Sequence, residues 1–204
     1  MDALRRGLSD FAAALGRRFG LGVHSTEDAI RYTFFVSILR ELECGPERLI
    51  LEYPHPARGR ALIDAWIVAA ASEPAVALEF KFHRPIVGAT TNQPRTMHAG
   101  SVLADIFKLA LIGDAPPVRR VVAYVCGPEM AGYFRNHANG LQRLFELPYG
   151  SVLALDEAYL AGRSATLQRA AGAPCPCRVS MLYAGSVDQF YEIRAFEVRP
   201  GHGA

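Results

Sequence analysis

Residues 60–84, RALIDAWIVAAASEPAVALEFKFHR, decide how the rest of the chain is arranged. The stretch predicts two strands, 60–68 and 75–82, parted by the breaker cluster Ser72-Glu73-Pro74. In the second strand Val76, Leu78, Phe80 and Phe82 alternate with their neighbours. The strand's period of two therefore puts Glu79 and Lys81 together on the opposite face. Asp64 stands on the neighbouring strand, fifteen positions before Glu79.

An Asp, a Glu and a Lys in this arrangement suit metal-assisted phosphodiester hydrolysis. A hard divalent ion such as Mg2+ takes oxygen ligands and is held by one or two carboxylates together with water and substrate phosphate. Asp64 and Glu79 supply the carboxylates and the Phe80 carbonyl a third oxygen, while Lys81 reaches the attacking water or the charge developing on the phosphoryl oxygens. The competing reading is an ordinary ion pair between Glu79 and Lys81 on one strand face. Lysine usage bears on the choice. Of 22 Lys and Arg, Lys81 and Lys108 are the two lysines, so Arg serves nearly everywhere a surface cation is needed. A compact ammonium with a movable pKa does what an always-charged guanidinium does less well.

The order of a helix with an early Glu, a strand with a terminal Asp, a strand with Glu-x-Lys and a further helix resembles the PD-(D/E)xK phosphodiesterase superfamily. That superfamily includes restriction-type endonucleases, resolvases and repair nucleases. The resemblance spans residues 24–126, about half of the chain, with one departure: Ile63 rather than Pro precedes Asp64. It implies an α/β fold with a central mixed β-sheet flanked by helices, restriction endonuclease-like. It also implies that Glu27, in STEDAIRYTFFVSIL, joins Asp64, Glu79 and Lys81 as a catalytic residue. Glu27, Asp64, Glu79 and the Phe80 carbonyl then become the expected ligands of Mg2+ or Mn2+, and the substrate is nucleic acid, DNA first. Helix physics offers a second account of Glu27, because an acid in a first turn meets the helix dipole favourably.

Around this core the sequence predicts a helix over 2–19, with Leu4, Leu8, Phe11, Leu15 and Phe19 on one side, and a second helix capped by Ser25 or Thr26. Arg31 falls one turn after Glu27, where it orients the carboxylate or meets a phosphate. A strand is predicted over 48–53, and Pro54, Pro56 and Gly59 mark a turn into the Asp64 strand. Residues 85–98 predict a long polar loop beside the site, and 99–112 a helix. On that helix Asp105 and Lys108, three apart, predict an ordinary ion pair, with Lys108 also a candidate phosphate contact alongside Arg84 and Arg95. Residues 119–126 predict a buried strand reached by a crossover, hence a mixed sheet. Helical character follows over 129–147 and 156–171, then two strands over 178–185 and 190–198.

With 204 residues, 50% hydrophobic and 21% charged, the chain suits one sizeable core, and we expect a single domain whose residues 127–204 extend the 24–126 core. Net charge is +2, although residues 81–120 carry six Lys and Arg against two Asp, an excess that a phosphate backbone or plain solvation explains. Cys44, Cys126, Cys175 and Cys177 lack zinc-binding spacing. The arginines near the N-terminus interrupt any signal-like run, so a cytoplasmic protein with no membrane partner is expected. Cutting both strands of a duplex needs two sites, which makes a homodimer or a partner protein an expectation too. Two further readings stand beside the nuclease: a catalytically inactive nucleic-acid-binding or scaffold module of the same fold, and hydrolysis of a different substrate.

Overall fold

The computed structural model describes residues 2–22, 26–70, 73–83, 94–114 and 116–201. In chain order the elements are α1 (Ala3–Gly20), α2 (Glu27–Glu41), β1 (Leu49–Pro54), β2 (Leu62–Ile67), β3 (Ala75–His83), α3 (Arg95–Ala110), β4 (Val118–Cys126), α4 (Pro128–Arg135), α5 (Gln142–Phe145), β5 (Val152–Leu155), α6 (Glu157–Leu160), α7 (Ala165–Ala171), β6 (Cys177–Ser186) and β7 (Glu192–Pro200). The seven strands form one sheet in the order β1-β2-β3-β4-β7-β6-β5. β3 and β4 are parallel, joined through α3, and every other neighbouring pair is antiparallel. No described helix is long and apolar enough to cross a membrane.

Period-two alternation sorts the central strands between two cores. Val76, Leu78, Phe80 and Phe82 of β3 pack with Val121, Ala123 and Val125 of β4 beneath α1 and α2. Ala75 and Ala77, with Val122, Tyr124 and Cys126, face α3 and the later helices. Helix α1 begins where Asp2 accepts a hydrogen bond from Leu4 N–H, and α2 where Thr26 accepts one from Ala29 N–H. Gly7 lets the two helices close on each other, since a Cβ there would meet Ile38 Cα at 3.1 Å. Phe11, Phe34 and Phe80 meet beneath them with ring centroids 5.3 to 5.9 Å apart. Each buried aromatic of this kind contributes about 1.5–3 kcal/mol.

On the other face α3 is buried nearly all round, between the sheet and α7. Its close approach to α7 needs Gly100, where a Cβ would stand 2.8 Å from Leu167 O. The turn from α3 into β4 is tied by Arg120, a buried guanidinium that donates to the carbonyls of Ile112, Gly113 and Val118 and to Asp114.

Several elements differ from expectation. α3 starts at Arg95, so residues 95–98 are helix rather than loop; residues 84–93, including Arg84 and Gln93, lie outside the described residues. The 129–147 segment is two short helices around a left-handed Gly140, φ +66. Residues 156–171 are likewise two helices, α6 and α7, with Gly162 at φ +79 between them. β5 has no counterpart in the sequence reading; at four residues it is too short to show a period. Residues 127–204 add their three strands to the same sheet, β7 lying directly beside β4.

Candidate active site

β3 presents Glu79, Lys81 and His83 in a row, as period two requires. α3 runs over them in the opposite sense and presents His98, Asp105 and Lys108, which spacings of seven and three place on one helical face. Three rungs result. Lys108 Nζ lies 2.7 Å from Glu79 Oε1, Lys81 Nζ lies 3.1 Å from Asp105 Oδ2, and the His83 and His98 rings meet at a 55° tilt with centroids 4.0 Å apart. Glu79 and Lys81 thus pair with α3 rather than with each other. The expected pairing of Asp105 with Lys108 is the weakest contact of the group, at 3.8 Å, because each has a nearer partner on or beside the sheet.

Asp64 enters from β2. The β2–β3 ladder reaches Ala65 opposite Leu78; one step further Asp64 turns a carboxylate oxygen onto Phe80 N–H at 2.8 Å. Since a strand residue points its N–H and C=O to the same edge, the Phe80 carbonyl is also directed at this side. The strand is irregular here. Ile63 joins the core under α3, whereas Ala65 and Ile67 join the other. Between the pairs Leu51–Ala65 and Tyr53–Ile63 stands Glu52, with φ +51, a conformation uncommon outside glycine. Such irregularity costs about 1–3 kcal/mol and concentrates where side chains are re-aimed for function.

The charges are partly desolvated. Glu79 is 2% exposed, and burial, reinforced by Asp105 and Asp64, pushes its pKa up to about 8. Burial likewise raises Asp105. For Lys81 burial works the other way, yet Asp105, Asp64 and Glu79 around it outweigh burial and raise its pKa. His83 is pushed down to about 3 by burial, with His98 and Lys81 adding to the effect, so it is neutral beside Tyr124 Oη, 3.2 Å from its Nδ1. His55, buried in the β1–β2 turn, accepts from Ala57 N–H through Nδ1. Its Nε2 is therefore the donor to Lys108 O at 2.8 Å, which pins the end of α3 over the site.

No family model, curated protein or solved structure matches the chain. The chemistry of the site rests on its own atoms. Around the two lysines the donors are hard oxygens, and Glu79 Oε1 and Asp105 Oδ2 are buried without a directed hydrogen bond, their lysines approaching obliquely. Among the described residues no three Asp, Glu, His or Cys side chains converge as a ready-made ligand set. Asp64, Glu79 and the Phe80 carbonyl nevertheless fit the smaller protein share that Mg2+ or Mn2+ uses when water and phosphate complete its shell.

The remaining expected residues sit elsewhere. Glu27 opens α2, on the layer opposite α3, and pairs with Arg31 at 3.6 Å; the structure does not bring it to the other three. Arg31 also meets Asp28 at 3.7 Å, and Arg95 meets Glu129 at 3.4 Å on the surface. Among the described residues of 81–120, cations of the positive excess meet acids within the fold: Arg119 holds Asp2 and Glu197, and the buried Arg120 pairs with Asp114. Sequence reasoning missed Asp105, His83 and His98 as site residues. The signal for Asp105 was an acid inside an otherwise apolar helical run, SVLADIFKLAL.

Proposed function

We propose that the chain is a metal-dependent nuclease with a restriction endonuclease-like core, hydrolysing phosphodiester bonds of nucleic acid with Mg2+ or Mn2+. The observation that carries this reading is the arrangement of Asp64, Glu79 and Lys81. Two acids from adjacent strands share one partly buried cluster with Lys81, and the other lysine of the chain, Lys108, joins them there. Asp64 and Glu79, with the Phe80 carbonyl, hold the ion, whose chemistry is to acidify water and neutralise phosphate charge. Lys81 orients the attacking water and faces the charge that grows on the phosphoryl oxygens. Asp105 keeps Lys81 protonated and aimed. Arg84, Arg95 and Lys108 are the candidates for phosphate, whereas Glu27 and Arg31, on the opposite layer, stand apart from the ion. DNA is preferred to RNA on the strength of the resemblance, and two copies of the chain would cut both strands.

The test is cleavage of plasmid, single-stranded and duplex DNA, and RNA, with Mg2+, Mn2+ or EDTA. Metal-dependent cutting lost in folded Lys81→Ala and Asp64→Asn is expected. Turnover that persists in both variants, or no cutting of any substrate, would sink the reading. A scaffold or nucleic-acid-binding module is the second reading, favoured by one feature: the acids and lysines already stand in oppositely charged pairs. Binding of nucleic acid without cutting would move it ahead.

A further inference from the structure

The Lys108 ammonium occupies an oxygen-lined position. It lies 2.7 Å from Glu79 Oε1, 3.1 Å from Leu62 O and 3.8 Å from Asp105 Oδ1, that is, among oxygens of β3, β2 and α3. Its directed hydrogen bond goes to the Leu62 carbonyl, while it meets Glu79 Oε1, a buried atom, at an oblique angle. Held chiefly by charge, such a pair recovers little of what desolvating both ions costs.

We propose that Lys108 is a built-in stand-in for the divalent cation at Glu79: its ammonium holds Glu79 and Asp105 in place and lets go of Glu79 when the ion binds there. This inference rests on the nuclease reading above. Three observations support exchange rather than permanent pairing. Three acids, Asp64, Glu79 and Asp105, stand against two ammoniums, and exchanging one ammonium for a divalent ion matches three acids with three positive charges. Next, the Lys108 side chain is 19% exposed on the last turn of α3, so its stem can swing the ammonium into water. His55 fixes the Lys108 carbonyl at 2.8 Å, which confines the motion to the side chain. Finally, residue choice agrees. Arg fills 20 of the 22 cationic positions, yet this one is a lysine, whose point charge releases an oxygen more readily than a forked guanidinium does. Lys81 stays on Asp105 throughout, so water orientation and cation exchange are divided between the two lysines.

The measurement is calorimetric titration of Mn2+ into the whole, metal-stripped chain, for wild type, Lys108→Met, Lys108→Arg and the double variant Glu79→Gln/Lys108→Met. Thermal melting in EDTA and in Mn2+ accompanies it. Lys108→Met is expected to bind Mn2+ about tenfold tighter than wild type or better. It should melt earlier than wild type in EDTA and recover with Mn2+, as a ligand selective for the folded state requires. The double variant should lose the gain. Lys108→Arg should bind more weakly than wild type, and this variant decides the matter if Lys108→Met does not fold. Wild-type affinity that neither substitution changes would overturn the role of Lys108 and leave the metal site standing. Absence of Mn2+ binding in both wild type and Lys108→Met would overturn the nuclease reading and this inference with it.

Discussion

Lys81 and Asp105 are 3.1 Å apart, and the carboxylate beside the ammonium is what holds its charge in a desolvated place. Lys81→Ala should therefore lower kcat by about 100- to 1000-fold in the cleavage assay, the loss typical when one preorganised donor is removed from a developing oxyanion. Asp105→Asn should do less to the rate at neutral pH but move the alkaline limb of the pH–rate profile downward, because Lys81 then loses its proton more easily. An unmoved limb would remove Asp105 from the mechanism. Glu79 makes a separate prediction about stability. Its folded pKa, about 8, lies above the ordinary 4.5, so between these values the native state holds a proton that the unfolded chain has released. Its contribution to stability is complete below 4.5 and is lost as pH rises through about 8. Urea midpoints measured across that window should fall with rising pH in wild type and flatten in Glu79→Gln. At this scale Asp64, Glu79 and Lys81 were legible, because strand periodicity depends on neighbours in sequence. Asp105 was not, because its partner Lys81 lies on another element and no local pattern pairs the two.

The β3–α3 pair is where element geometry becomes chemistry. A strand advances one same-face residue every two positions and a helix one roughly every three or four, so the row Glu79, Lys81, His83 meets Lys108, Asp105, His98 only when the helix runs back over the strand at one particular height. Gly100 helps to set that height by admitting α7 against α3. Gly100→Ala would place a methyl against the Leu167 carbonyl, and we expect a loss of about 1–3 kcal/mol in chemical denaturation, with cleavage impaired even under conditions where the protein stays folded. Full stability would show that the crossing is soft. The start of α3 was read too late for a related reason. Residues 95–98 hold a single apolar side chain, Met97, and so show no apolar period, and His98 acquires its partner only when β3 comes beneath it.

At the scale of the molecule, β4 is buried on both faces and is bordered by β3 and β7. The region of the resemblance, residues 24–126, ends with β4, so by itself it would leave this strand as an open apolar edge. A chain truncated after residue 127 is therefore predicted to aggregate rather than fold, judged by size-exclusion chromatography and circular dichroism; a soluble, cooperatively melting fragment would contradict this. Arg119 on β4 reinforces the union by pairing with Glu197 on β7 at 2.7 Å. The sequence by itself determined the α/β class, the mixed sheet, six of the seven described strands and the shared face of Glu79 and Lys81, because each follows from periodicity and breakers within a few residues. Only the tertiary structure decided which charge meets which, that Glu27 stays apart, that both lysines converge on one cluster of acids, and that residues 127–204 complete the sheet. Those outcomes depend on the height at which α3 crosses β3 and on the edge that β4 leaves open, and both are set by packing between segments far apart in the chain.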